Sequence, residues 1–362
     1  SLAAVKHSGK PTVKRTAPLG PIDLGYGGGM EPTTPVPTDI DAAVLARFNG
    51  FPRFGPGTGL HRAGHLLRQL PAPGWLAGLD AIKVTGSKGK GTVSTICAAI
   101  LRELGHRTGL YTSPHLLRLN ERVQIDGVQI PSTRLLACLD WVVELRDHYE
   151  RGFPGDSISG FEAMTAAALR YFGDEQVPVL VAEVGIGGRT DPTRWIPGAV
   201  AVLTSVELEH TDILGTTTEA IAFNKCDLCP AGGTLIVGRV EPELLRRIQA
   251  YCEVRAVQVV DGTRAAAVSE LRFEGGRMRF TMRCGDIVFP DLDTTLYGAH
   301  QAENIALATL AVMTWLARNQ PEGIRTPTLV AAVQHAVHTA SWPGRLEIVD
   351  SDPETLIDIA HT

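Results

Sequence analysis

Short apolar runs and longer stretches of helical spacing alternate along most of this chain. Residues 82–84, 108–111, 177–184, 199–204 and 234–237 are compact and β-rich, and strands are expected there. Residues 92–104, 133–150, 161–171, 218–224 and 243–251 fill the gaps with apolar side chains at helical intervals. This alternation predicts an α/β fold, a mostly parallel sheet flanked by helices. A run of alternating residues over 123–130 turns back at Asp126-Gly127, a two-residue hairpin signal, and reads as an insertion in that domain.

Beyond residue 255 the pattern changes to short strands separated by turn glycines, a small β-rich subregion, followed by two helices over 301–317 and 328–339. Residues 345–349 and 355–359 read as two more strands, the expected start of another α/β unit. Residues 1 to about 40 are rich in Pro, Gly and Thr and follow neither period, so a flexible tail or linker is drawn up to residue 45.

Composition narrows the class. With 362 residues and 44% hydrophobic side chains, the chain can bury a large core without disulfides or metals. Its net charge of -5 is slight and both signs are interspersed, which argues against a nucleic-acid partner. The longest apolar stretches, 177–184 and 305–316, fall short of the roughly 20 residues of a membrane-spanning helix, so no membrane association is expected. No apolar core follows the early lysines as a secretion signal requires, and a cytoplasmic setting is expected. The six cysteines read as reduced thiols: Cys226 and Cys229 form a C-x-x-C, but Cys252 and Cys284 give no second pair at zinc spacing.

The strongest chemical signal is Thr85-Gly86-Ser87-Lys88-Gly89-Lys90-Gly91-Thr92, set between an expected strand and an expected helix. Gly86, Gly89 and Gly91 allow a tight turn whose backbone N–H groups, with the helix N-terminus, point at phosphate oxygens. Lys90 is placed to neutralise the β- and γ-phosphates of ATP, and the Thr92 hydroxyl to bind magnesium. Glu183 ends a fully apolar strand, where ligands gather in open α/β sheets and where an unpaired carboxylate is costly. A cation should therefore face it, and Thr92, Glu183 and ATP phosphates form a candidate magnesium site.

The loop has two residues between Gly86 and Gly89, where the usual P-loop has four, and in this it resembles the Mur ligases. Lys90-Gly91-Thr92 resembles their folate branch, the folylpolyglutamate and dihydrofolate synthases, where the loop reads roughly G-T-N-G-K-G-S; Ser87 and Lys88 depart from it. Further matches follow in order: Tyr111-Thr112-Ser113-Pro114-His115-Leu116 with Asn120-Glu121-Arg122, Glu183-Val184-Gly185-Ile186-Gly187-Gly188-Arg189-Thr190-Asp191, His210-Thr211-Asp212-Ile213-Leu214-Gly215, Lys225, His300-Gln301-Ala302-Glu303-Asn304, Trp342-Pro343-Gly344-Arg345 and Asp358-Ile359-Ala360-His361.

The resemblance implies a P-loop-containing Mur-ligase central domain over 46–340, with 341–362 as the beginning of a C-terminal α/β domain that is truncated here, disordered or supplied by a partner chain. It implies a second magnesium at His210 and Ser113, with Lys225 carbamylated as an anionic ligand. Asn304 and Arg345 are then expected to hold the adenine and the phosphates, and Asp358, with His361 beside it, the ribose. The implied reaction converts an acid to an acyl phosphate at the expense of ATP, and an amino acid's amine, most simply glutamate's, then displaces phosphate. The implied active unit is a monomer acting on small molecules. A chain that stops at Thr362 is expected to bind ATP weakly and to form no amide bond.

Three departures bear on the acceptor. Ser159-Gly160-Phe161-Glu162 lacks the leading aromatic of the family's Y-F-E, and Pro192 and Arg194 replace residues of its D-A-T-N. A pterin ring would stack on an aromatic face. Three readings follow: a folate-type ligase, a Mur-type ligase for another acid, and an ATP-binding pseudo-ligase or partner subunit.

Overall fold

The computed structural model describes residues 39–57, 59–71, 73–320, 322–343, 347–351 and 354–357. Three helices come first, α1 (Asp39–Asn49), α2 (Leu60–Arg68) and α3 (Pro73–Gly78). The alternating part runs β1 (Asp80–Thr85), α4 (Lys90–Glu103), β2 (Thr108–Tyr111), β3 (Val123–Ile125), β4 (Val128–Gln129), α5 (Ser132–Gly152), α6 (Gly160–Asp174), β5 (Val179–Glu183) and β6 (Val200–Leu203). It continues through α7 (Thr211–Leu214), α8 (Thr218–Cys226), β7 (Thr234–Val237), α9 (Pro242–Val254) and β8 (Gln258–Asp261). After α10 (Gly262–Ala265) come β9 (Ala266–Glu274), β10 (Arg277–Cys284), β11 (Ile287–Thr294), α11 (Ala299–Asn319), α12 (Thr326–Thr339), β12 (Glu347–Ser351) and β13 (Glu354–Ile357).

The main sheet has eight strands in the order β4-β3-β2-β5-β1-β6-β7-β8. Its six strands from β2 to β8 pair in parallel, and the β3–β4 hairpin extends the β2 edge in antiparallel fashion. Both faces are covered, so the strands alternate between two cores rather than between core and water. In β5, Val179 and Val181 pack with α4 and α11, whereas Leu180 and Ala182 join α5 and α6. In β6, Val200 and Val202 face the first core, while Ala201 and Leu203 pack with α8 and α9.

The β9–β11 meander forms a separate antiparallel sheet. Met278, Phe280, Met282 and Cys284 of β10 turn inward at every second position against α11 and α12, as a one-sided sheet requires. β12 and β13 pair as an antiparallel hairpin. Among the described residues no helix is long and apolar enough to cross a membrane.

Most expected elements lie within two or three residues of their drawn ends. Three corrections follow, two on the N-terminal side and one at the sheet edge. Helix α1 begins at Asp39, so the tail boundary at residue 45 falls inside a helix; Val44 is its one buried side chain, too thin a stripe to reveal the period. Helices α2 and α3 went undrawn because glycines and prolines flank them on both sides. Strand β8, undrawn as part of the parallel sheet, is the half-exposed edge strand after β7.

Candidate active site

Chain order and strand order disagree at β1: the next parallel strands, β2 and β5, lie on one side of it, and β6 to β8 on the other. A crevice opens at such a switch point, outside the carboxyl ends of the strands. The glycine loop leaves β1 there, Glu183 ends β5, and the segment from Thr204 to His210 leaves β6.

The loop glycines are required by their neighbours as well as by the turn. A Cβ on Gly86 would stand 1.9 Å from Thr204 Oγ1, on Gly89 2.5 Å from Asn304 Oδ1, and on Gly91 2.4 Å from Trp342. Gly86 and Gly89 also have φ of +144° and +80°, a region that suits glycine. Ser87 N–H donates to the Ser205 carbonyl at 3.0 Å, Lys88 N–H donates to Ser205 Oγ at 3.0 Å, and Glu207 N–H donates to Ser87 Oγ at 2.9 Å. The amides of Ser87 and Lys88, expected to face phosphate, are thus spent on the β6 segment. Those left free by helix geometry are the first N–H groups of α4, from Lys90 to Thr92. Lys90 Nζ donates to the Gly86 carbonyl at 2.9 Å, folded back over its own loop.

Glu183 is 3% exposed and accepts a hydrogen bond from Ser113 N–H at 2.9 Å, which joins the ends of β5 and β2. Burial lowers the pKa of the nearby Arg122 guanidinium, on which Tyr111 and the charges of Glu183 and Glu121 also act. After Glu183 the chain turns around Asp191, whose carboxylate accepts N–H bonds from Gly185 at 3.0 Å, Ile186 at 3.1 Å and Thr193 at 2.9 Å. Asn224 of α8 accepts from Gly188 and Arg189 N–H, so α8 is seated against this turn.

That seating buries Lys225, 1% exposed, with Nζ 2.9 Å from Glu209 Oε1. Burial pushes the Lys225 pKa down, and the hydrogen bond and charge of Glu209 hold it up. Burial raises the Glu209 carboxyl, but Lys225, a hydrogen bond from Ser87 and the charge of Lys90 bring it below its ordinary value. Sequence reasoning passed over Glu209; its position five residues past a parallel strand's end, beside His210, was the available signal. His210 is exposed, with φ of +46°, and its carbonyl caps α7 by accepting from Ile213 and Leu214.

The structure therefore gathers the glycine loop, Asn304, Ser113, Glu183 and Lys225 around one crevice. His210 joins them through its neighbour Glu209. Arg345, Asp358 and His361 lie outside the described residues. No group of three or more His, Cys, Asp or Glu side chains among the described residues is arranged to hold a metal. The hydroxyls of Thr92 and Ser113 and the buried carboxylate of Glu183 are hard oxygen donors, a set that fits magnesium completed by phosphate and water.

On the acceptor side, Glu162 is engaged within the protein. It takes two hydrogen bonds from Arg62 Nε, at 3.0 and 3.1 Å, and forms a capping box with Ser159 at the start of α6. Phe161 packs the tip of its ring against the backbone at Gly185, where a Cβ would meet it at 2.5 Å, beside the Glu183 turn.

The strand order, the short glycine loop and the acid at the adjoining strand end define a P-loop α/β domain with the fold of the Mur-ligase type. No protein-family model matches the chain. It is 34% identical over 319 residues to the folylpolyglutamate synthase of Lacticaseibacillus casei, covering 88% of this chain and 73% of that one. It is 35% identical over 314 residues to a probable bifunctional folylpolyglutamate synthase/dihydropteroate synthase of Halobacterium salinarum, covering 85% of this chain but only 36% of that longer relative. Among solved structures, an FPGS-AMPPCP-folate complex superimposes with a TM-score of 0.80 at 32% identity, over 89% of this chain and 77% of that one. The chain belongs to the folylpolyglutamate synthase/dihydrofolate synthase family.

Proposed function

We propose that this protein is an ATP-dependent ligase that activates a carboxylate as an acyl phosphate and joins it to an amino acid, glutamate onto a folate-type acceptor. The observation that carries this reading is the meeting, at the ends of adjacent parallel strands, of a lysine-bearing glycine loop and a buried carboxylate. The names of the relatives, and the AMPPCP and folate in the solved complex, support the choice of nucleotide and acceptor.

Phosphoryl transfer needs mainly positioning and charge neutralisation. The free amides of Lys90, Gly91 and Thr92 bind the ATP phosphates, and Lys90 exchanges the Gly86 carbonyl for the β- and γ-phosphates. Asn304, against Gly89, holds the nucleotide together with Arg345, Asp358 and His361. Thr92 and Glu183 would hold one magnesium, and His210, Ser113 and Lys225, the last as a carbamate, a second. Magnesium supplies positive charge to the phosphate oxygens. The acid's carboxylate oxygen bonds to the γ-phosphorus as the bond to ADP breaks, and the amine then takes the acyl carbon while phosphate leaves. The six cysteines, all free and buried, fit a reducing cytoplasmic setting, and a monomer is the simplest active unit.

Phosphate release measured with ATP and a panel of acids and amino acids tests this. Turnover should require a pteroate-type acid together with glutamate. Dependence on another pair would make the protein a Mur-type ligase of different specificity, and nucleotide binding without turnover would make it a pseudo-ligase.

A further inference from the structure

Arg122 has no part in the chemistry described so far, yet its side chain is fixed from several directions. Its carbonyl accepts Thr112 N–H at 2.9 Å, which ties it to the segment leading from β2 to Ser113. Its Nε donates to His115 Nδ1 at 3.0 Å, and its guanidinium carbon lies 5.6 Å from the Phe48 ring centre on α1. Burial lowers the Arg122 pKa, against the pull of Tyr111, Glu183 and Glu121, but a guanidinium starts so high that it keeps its charge.

The other end of the guanidinium is open. Among the described residues neither Nη nitrogen donates to a protein acceptor. The two neighbouring acids are already engaged: Glu121 accepts N–H bonds from Leu116 at 2.6 Å, Leu117 at 2.8 Å and Arg118 at 2.7 Å, and Glu183 accepts one from Ser113 at 2.9 Å. A partly buried fork of N–H donors without an acceptor is costly unless something else supplies one, and its planar geometry matches a carboxylate.

Strand order says where that carboxylate would sit. Glu183 ends β5, which lies between β2 and β1. The glycine loop is on the β1 side of Glu183, and Arg122 with Ser113 is on the β2 side. A phosphate held by the loop and a carboxylate held by Arg122 would approach each other over Glu183.

We infer that the Arg122 Nη fork, held in place by His115 and Phe48, binds the carboxylate of the acid substrate and presents it to the γ-phosphate. This rests on the ligase reading above and adds the group that recognises the acceptor's charge.

The test is equilibrium binding of pteroate and of its methyl ester in the presence of a non-hydrolysable ATP analogue, for the unaltered protein, Arg122→Gln and Arg122→Lys. Nucleotide affinity and melting temperature of each variant report whether it is folded. The unaltered protein should prefer pteroate to the ester. Arg122→Gln should lose roughly 10- to 100-fold in pteroate affinity, bind the ester as before and keep its nucleotide affinity. Arg122→Lys should recover part of the preference, since it restores charge without the fork.

Equal preference for the free acid in a folded Arg122→Gln would overturn the inference. So would a loss confined to nucleotide, which would assign the fork to phosphate. If Arg122→Gln does not fold, an Arg122→Lys variant with full, fork-like preference for the acid does the same. Failure of the unaltered protein to bind pteroate, with nucleotide binding intact, is a separate result: it overturns the folate-type reading, and the inference in this form with it.

Discussion

Lys83 lies in the middle of β1, 2% exposed, its ammonium donating to the Ile196 carbonyl at 3.2 Å. Burial, with the nearby charge of Arg194, lowers its pKa from 10.5 to about 8, against Cys229 and Asp80. The unfolded chain therefore binds more protons between these two values, and stability should rise as pH climbs through that window. Lys83→Met should remove the rise and stabilise the protein at neutral pH by on the order of 1 kcal/mol, less than full relief because the Ile196 carbonyl loses its donor. Melting curves from pH 7 to 10 check both points. Lys90→Ala should leave the fold unchanged and abolish ATP-dependent phosphate release, because its side chain is half-buried and hydrogen-bonds the loop carbonyl of Gly86 instead of packing in a core. Near-normal turnover would disprove the phosphate role. Single residues were legible where chemistry and position coincided: Lys90 follows a glycine turn and Glu183 ends an apolar strand. Glu209 and Arg122 were not, because an acid or arginine in a loop is ordinarily solvated, and only the folded strand order places them in the crevice.

At the scale of elements, the parallel strands were legible because burial on both faces demands continuous apolar runs, and the long helices because a wide apolar stripe shows its period. The α1–α3 segment was not, since glycines and prolines break it into short helices; Val44, Leu66, Leu67 and Trp75 join the core, and polar contacts tie the segment down as well. Arg62 of α2, 1% exposed, donates to Glu162 of α6, to the Pro56 carbonyl and to Asp156. Burial alone would raise the Asp156 carboxyl, but hydrogen bonds from Tyr149, His61 and Arg62, with the Arg62 charge, lower it from 3.8 to about 2. Its contribution is complete above the ordinary value and is lost as pH falls toward 2. Asp156→Asn should lower stability at pH 7 by on the order of 1 kcal/mol after solvent screening and flatten the acid limb; an unchanged acid limb would tell against this network. The glycine loop offers a second element-scale test. Gly89→Ala meets both a positive φ and Asn304 Oδ1, and should cost on the order of 1–2 kcal/mol in stability together with about tenfold in nucleotide affinity, read by melting and titration. Wild-type nucleotide binding would show that the Gly89–Asn304 approach is not needed.

The whole molecule works as a support for the ends of β2, β5, β1 and β6. Three cores clamp the sheet from both faces, and each of these four strands delivers one part of the site: Ser113 and Arg122, then Glu183, the glycine loop, and the Thr204–His210 segment with Glu209. Sequence motifs gave the parts in chain order. Their spatial order, with Glu183 between loop and arginine, depends on the crossing of connections at β1, which no local period records. The central claim is that an acid oxygen attacks ATP directly, so the most direct measurement follows that oxygen. Pteroate labelled with oxygen-18 in its carboxylate is turned over with ATP and glutamate, and the inorganic phosphate is examined by mass spectrometry. An acyl phosphate route transfers one labelled oxygen to phosphate in each turnover; unlabelled phosphate accompanying amide product would contradict it.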